Sequence, residues 1–476
     1  MPANILLITD DQHRWDFVGG GTVACLRTPA IDRLRAEGTT LVRAYSNCPI
    51  CMPTRFTWLY GLYASQGRAR LLRNAHDWPT NLPSMAHALQ RRGYHTALVG
   101  KLHSLAGLCK RDVCAHLEET RQRGFDDVLE VSGKTLSYWY DCAWTRYLDG
   151  RNLLSRYRND LHRRNECFGQ MGTYEPTFLA TGDSMDGFIG ARAREWLRAY
   201  DGGQPFFLHA SFCGPHFPID PPREYFERYV PDDMPVPKRV DDAADVRAWQ
   251  ERRAAYCAMI AHIDDEVAAL LSVLEERGES DNTLVVFTTD HGDMMGHRGL
   301  HHKGKPYETA TRTPVTLRLP GTIPAGAVLD DMVEAVDLPC TLLDAAGCEG
   351  GMDEYLPNTP GRSYWRYARG KTDTHRQWAY SECGTGESAW RMVVERDWKL
   401  ITRASGEDEL YNLAGDPWEL KNLAALPEHR DRVLRLQREL LGSMMHCLAP
   451  DTVDCGPVDM WWEREPAFAG SRESRD

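Results

Sequence analysis

No apolar run in this chain approaches the roughly 18 residues that a membrane-crossing helix needs. Nor does Met1-Pro2-Ala3 supply a basic segment or a cleavage site ahead of the apolar run Ile5 to Ile8, so no signal peptide is read and a cytoplasmic protein is expected. Long basic runs are also missing. Lys plus Arg total 56 against 68 Asp plus Glu, and the formal charge of −12 is a poor basis for gripping a nucleic-acid backbone. Neither a nucleic acid nor a membrane is therefore expected as a partner. A small anionic substrate stays open, because a local basic pocket can sit inside an acidic protein. Internal repeats and low-complexity stretches are absent. Regular cysteine spacing is absent too: the 14 cysteines are scattered over 476 residues and read mostly as buried thiols, not as a disulfide framework.

What is present is globular. Hydrophobic residues make up 42% and charged residues 26%, which excludes disordered and collagen-like chains. A first strand is predicted over 4–9, then a helix from Pro29, capped by Thr28 and closed by Gly38. A helix over 53–60, another from Pro83 to Gly93 and a strand over 96–99 follow. Residues 104–182 are irregular, carry the aromatic cluster Tyr138-Trp139-Tyr140 with Trp144 and Tyr147, and are read as an insertion. Its aromatics either pack a small core of their own or stack on a substrate ring. Helix 184–200, strand 206–210, helix 246–277, strand 283–289 and strand 315–319 come next. Strands alternating with helices predict a doubly wound, mostly parallel α/β sheet over 1–376. From 377 to 476 the pattern changes. Short strands over 378–382, 390–395, 398–402 and 409–411 and a helix over 426–446 predict a small α+β unit with an antiparallel sheet. The tail after Pro450 carries Trp461-Trp462, which would pack either on the body or on a neighbouring subunit, so a homo-oligomer stays open.

In open α/β sheets, sites form beyond the carboxyl ends of the strands. Four predicted strands end in chemically capable residues: Asp10-Asp11, then Lys101 with His103, then His216, then Asp290-His291. Each alone reads as a turn or surface loop; their joint placement points to one pocket. Three carboxylates and an imidazole suit a hard divalent cation, calcium, magnesium or manganese, with the imidazole tilting toward manganese. Cys48-Pro49-Ile50-Cys51-Met52-Pro53-Thr54-Arg55 supports three readings: a redox pair of Cys48 and Cys51, two buried structural thiols, or a Cys-x-Pro-x-Arg motif built around Cys51.

The motifs together resemble those of the type I sulfatases of the alkaline phosphatase superfamily, over nearly the whole chain. They run from Asn4-Ile5-Leu6-Leu7-Ile8-Thr9-Asp10-Asp11-Gln12 through Cys51-Met52-Pro53-Thr54-Arg55 and Gly93 to His103. Gly214-Pro215-His216-Phe217-Pro218, Thr289-Asp290-His291-Gly292-Asp293, Gly299-Leu300-His301-His302-Lys303 and Glu409-Leu410-Tyr411-Asn412-Leu413 follow in family order. The resemblance implies a sulfuric ester hydrolase of small anionic esters and an alkaline-phosphatase-like fold. It implies that a separate sulfatase-maturating enzyme oxidises Cys51 to formylglycine, whose hydrate attacks sulfur and then expels sulfate by its second hydroxyl. It also implies one divalent metal ion, calcium foremost with manganese or magnesium as alternatives, held by Asp10, Asp11, Cys51, Asp290 and His291.

On the same resemblance, Arg55 would hold the hydrate, and Lys101 and Lys303 the charge on the sulfate oxygens. His103 would take the proton of the second hydroxyl, His216 would protonate the leaving alcohol or position the sulfate, and Asn74 would contact substrate. Two departures shift the expectation. Histidine at 291, where many members carry asparagine, resembles the phosphonate monoester hydrolase and phosphodiesterase branch. Leu59-Tyr60-Gly61 lacks the threonine that usually follows the motif. The alternatives are thus a phosphonate monoester or phosphodiester hydrolase with the same nucleophile, and a non-catalytic anion-binding member with unmodified Cys51.

Overall fold

The structure is a computed structural model, and it describes residues 2–67, 77–105, 112–168, 174–348 and 351–446. Nine strands form the main sheet: β1 (Asn4–Asp11), β2 (Thr39–Tyr45), β3 (His95–Gly100), β4 (Asp127–Glu130), β5 (Phe206–Pro215), β6 (Thr283–Thr289), β7 (Arg312–Arg318), β8 (Ala327–Leu329) and β9 (Val333–Glu334). Their order is β4-β3-β5-β1-β6-β7-β2-β8, with β9 also on β2. Only β7 runs against its neighbours, pairing antiparallel with β6 and β2. The expected mostly parallel α/β sheet is therefore present.

The central strand shows why. All eight residues of β1 are buried. Ile5 and Leu7 enter one hydrophobic core and Leu6 and Ile8 the other, so both faces of the sheet are covered and the strand reads as a continuous apolar run. On one face lie α1 (Pro29–Glu37), the helix Met185–Ala199 and part of the 34-residue helix Ala243–Glu276. The other face is covered by α2 (Cys51–Tyr60) and α3 (Met85–Arg91). Thr28 leads into α1 as expected, but the backbone amides of Ala30 and Ile31 are capped from outside, by the Asp264 carboxylate at 2.9 and 2.8 Å.

β4 lies within 104–182 and pairs parallel with β3, so that segment contributes the edge of the main sheet. Its aromatics are core: Trp144 is buried, meets Tyr157 edge-on at 4.8 Å and donates from its indole to the Asp183 carbonyl. They join the core on one face of the main sheet and not a small core of their own, with Tyr138, Trp139 and Tyr147 partly buried against it.

The C-terminal part is a four-strand antiparallel meander, β10 (Trp378–Cys383), β11 (Trp390–Glu395), β12 (Trp398–Arg403) and β13 (Asp408–Asn412). The helix Arg430–His446 covers one face of it through Leu436 and Leu440, against Val393, Leu400 and Leu410. The other face merges with the main core through Met392, Val394, Ile401 and Tyr411. Buried Lys399 adds a charged tie, 3.1 Å from Glu308 and 2.8 Å from Glu419. Trp461 and Trp462 lie outside the described residues.

Candidate active site

Cys51 is the first residue of α2, and all ten residues of that helix are buried. The preceding loop is fixed by Asn47, which donates to Glu334 at 3.0 Å and to the Tyr380 carbonyl at 2.8 Å and accepts from the Val336 amide at 2.9 Å. Those ties bring the helix start to the carboxyl ends of β1 and β6. The Cys51 sulfur, which marks where a formylglycine oxygen would stand, lies 3.4 Å from Asp11 Oδ1, 3.3 Å from His291 Nε2 and 2.7 Å from Lys303 Nζ.

The structure brings together Asp11, Cys51, Asp290 and His291, with ligand atoms all within 4.8 Å of one another and every residue buried. His291 donates from Nδ1 to the Gly292 carbonyl at 2.9 Å, which leaves Nε2 turned to the cluster. Asp10, next to Asp11 on the strand, falls outside that group. Its Oδ2 is held by His13 Nδ1 at 2.6 Å, while its Oδ1 is buried and has no hydrogen-bond partner among the described residues. A carboxylate-rich set beside an orphaned buried carboxylate oxygen fits a hard divalent cation.

Among the described residues, three cations stand around this set. Lys101 Nζ donates to Asp11 Oδ2 at 2.6 Å. Arg55 donates from Nε to Asp290 Oδ2 at 2.9 Å and from Nη2 to Asp11 Oδ2 at 3.4 Å. Lys303 also donates to His216 Nε2 at 2.6 Å. Burial works to raise Asp11, but Lys101, His216, Arg55 and Lys303 outweigh it and hold the carboxyl well below the usual range. Burial likewise works to raise the Cys51 thiol, with Asp11 adding to it, yet Lys101, Lys303 and His291 bring it below an ordinary thiol.

His103 and His216 are both pushed well below an ordinary imidazole, first by burial and then by the neighbouring lysines. Both are thus neutral bases near neutral pH. His216 donates from Nδ1 to the Phe217 carbonyl at 2.6 Å, so its Nε2 is the acceptor facing Lys303. His103 sits at φ 65° just past β3, and its Nδ1 is buried without a partner among the described residues. Gly133, at φ 90°, lets the loop after β4 lie against Lys101, where a Cβ would come within 3.2 Å of Cε. Asn74 lies outside the described residues.

Cys48 and Cys51 are both buried free thiols. Cys51 is engaged by Asp11, His291 and Lys303, while burial, with Cys383 of β10 beside it, holds the Cys48 thiol well above the ordinary range. The residues that hold the ligands were not foreseen: His13 behind Asp10, and Gln12, whose amide donates to Asp290 Oδ1 at 3.0 Å. The Asp10-x-x-His13 spacing was the available signal.

A family model described as Sulfatase matches residues 3–348, well over half of the chain. The chain belongs to the sulfatase family. A second model, N-sulphoglucosamine sulphohydrolase, C-terminal, matches residues 296–445 of this sulfatase. Among its relatives, an arylsulfatase of Clostridium perfringens is 29% identical over 472 residues, spanning 93% of this chain and 94% of the relative. A choline-sulfatase of Rhizobium meliloti is 28% identical over 448 residues, spanning 89% and 83%. Among solved structures, a phosphonate monoester hydrolase from Silicibacter pomeroyi aligns with a TM-score of 0.79 at 24% identity, over 95% of this chain and 96% of that one. These likenesses fix the fold as the one shared by sulfatases and phosphonate monoester hydrolases.

Proposed function

We propose that this sulfatase hydrolyses sulfate monoesters of small molecules, with formylglycine formed from Cys51 by a separate maturating enzyme and with one divalent cation, calcium foremost. The observation that carries the reading is the contact of Cys51 with Asp11, His291 and Lys303 at the start of a buried helix. A metal ion bound by Asp10, Asp11, Asp290 and His291 would lower the pKa of the nucleophilic hydroxyl and polarise a sulfate oxygen. The chain's own groups do the rest. Asp11 accepts the proton of a hydroxyl standing where the sulfur stands. Lys101 and Lys303 face the same point and favour the charge that builds on the sulfate oxygens. Arg55 fixes the two carboxylates. The neutral His216, whose Nε2 accepts from Lys303, holds that lysine in place and so positions the sulfate, and the neutral His103 accepts a proton when the product leaves.

The test is the mass of the tryptic peptide from Ala44 to Arg55, from protein made in a host that carries the maturating enzyme. An aldehyde or its hydrate at position 51 supports the reading. An unmodified thiol in protein that still binds calcium supports the anion-binding alternative. His291 favours a second reading, a phosphonate monoester or phosphodiester hydrolase, because the transferred groups carry the same single charge. Paired kcat/KM values for an aryl sulfate and a phenylphosphonate ester decide between them.

A further inference from the structure

A line of buried polar side chains runs beneath the reacting centre on two adjacent strands, against the end of a third, and none of them belongs to the residues assigned above. Thr9 of β1 and Ser211 of β5 are register partners, and Ser211 is also the partner of Gly100 at the end of β3. The Lys101 amide donates to the Ser211 carbonyl at 3.0 Å. The approach is so close that a Cβ on Gly100 would stand 1.9 Å from the Ser211 oxygen. Ser211 Oγ lies 2.7 Å from the Lys101 carbonyl oxygen, 2.8 Å from Arg55 Nη1 and 3.1 Å from Thr9 Oγ1. Thr9 Oγ1 lies 2.9 Å from His209 Nε2, and Arg55 Nη1 reaches the Lys101 carbonyl at 2.6 Å.

The direction of every bond follows by elimination. A guanidinium has donors only, so Ser211 Oγ accepts from Arg55. A carbonyl only accepts, so the one Ser211 proton goes to Lys101. Ser211 must then accept from Thr9, which spends the one Thr9 proton. Thr9 in turn accepts from His209, whose Nε2 carries hydrogen. Burial, and then the Arg55 charge, hold His209 down to about 3, so its imidazole is neutral at working pH.

We infer that His209, Thr9 and Ser211 form a one-way hydrogen-bond relay that positions Arg55 and the Lys101 backbone beneath the nucleophile. All three are positioning residues, and their catalytic consequence rests on the sulfatase reading of the site. The relay solves an electrostatic problem. Two of the three guanidinium nitrogens are spent on Asp290 and Asp11. Holding the third with a further carboxylate would subtract from the positive field an anionic ester needs. Two neutral acceptors anchor it without that loss. Because each hydroxyl has only one allowed orientation, the anchor is stiff, and losing one hydroxyl frees the next.

The test compares Thr9→Val, Thr9→Ser and Ser211→Ala in the full, calcium-loaded chain. Steady-state kinetics are measured with both an aryl sulfate and a phenylphosphonate ester. Exchange of the Arg55 guanidinium protons is followed by NMR with isotope-labelled arginine. Arg55 faces the nucleophile side, so Thr9→Val and Ser211→Ala should lower kcat by about tenfold and leave KM within about twofold. The same variants should speed exchange at Arg55 by about tenfold. Thr9→Ser keeps the hydroxyl and should restore both readouts. Unchanged kcat and exchange in Thr9→Val and Ser211→Ala would overturn the relay, and so would a Thr9→Ser protein as impaired as Thr9→Val. If the unaltered protein turns over neither ester, the functional reading fails, and the exchange rates alone decide the relay.

Discussion

Lys101→Met is the most informative single change in the site. Lys101 Nζ stands 2.6 Å from Asp11 Oδ2, and the two side chains are 4% and 0% exposed. Breaking a buried pair by removing one partner typically costs about 3–5 kcal/mol, because the other charge is left in low dielectric. Here the cost should fall at the low end, about 3 kcal/mol, since Arg55 still reaches the same oxygen at 3.4 Å. Asp11→Asn combined with Lys101→Met removes both charges, and the double variant should regain most of that stability, with a coupling of about 2 kcal/mol in urea unfolding of the metal-free protein. Activity should behave differently. If Lys101 also stabilises charge on the transferred group, its loss lowers kcat by about 10²–10³, with calcium saturating, and the double variant recovers none of it. The reasoning is refuted if calcium-saturated Lys101→Met keeps more than about a tenth of wild-type kcat. Lys101 would then be a counter-ion for Asp11 and nothing more.

Cys51→Ala should abolish turnover, and Cys51→Ser should lower it by at least about a hundredfold, because a serine ester must wait for water where a hydrate expels its own product; a burst of alcohol without turnover in Cys51→Ser would be the signature. Stripping the metal with a chelator should end activity and also lower stability, since an ion at about a hundredfold over its Kd adds about 2.7 kcal/mol; re-addition of calcium, manganese and magnesium in parallel melts ranks the ions. Acid should destabilise the fold early. His209 and His297 are each held down to about 3, chiefly by burial, so both are neutral when folded and take up protons on unfolding. The unfolded chain then binds two more protons than the native one below an ordinary histidine pKa of about 6.5, and stability drops by up to about 2.7 kcal/mol per pH unit from there toward pH 3. Urea midpoints at stepped pH check the slope, which should shrink in His297→Gln.

The main sheet was legible because its central strands are buried on both faces and so write themselves as apolar runs bounded by glycine and proline. The site was legible for a related reason. A parallel sheet collects its strand ends at one edge, so Asp11, Lys101, His216 and Asp290 could be placed together before any contact was known. β2 was missed because Thr39–Tyr45 follows α1 after one residue and its register with β7 shifts between Leu41 and Ala44, which blurs its alternation. β4 has four residues at a sheet edge, too few to show a period. That Asp11 joins the cluster and Asp10 does not depends on the local bulge of the strand, and the Cys383 that neighbours Cys48 is more than 300 positions away. Thr9 and Ser211 looked like ordinary strand residues; only the pairing of β1 with β5 makes them neighbours.

The burial of the helix that begins at Cys51 also sets a timetable. All of Cys51 to Arg55 is enclosed in the finished fold, and the loop before it is clamped through Asn47 to Tyr380 of β10. An enzyme that must handle this stretch as an open strand finds it closed once those contacts exist. Trp378, where β10 begins, is synthesised about 330 residues after Cys51, a delay of about 20–60 s at ordinary translation rates. The tie from Asn47 to β10 therefore forms only after most of the chain has been made.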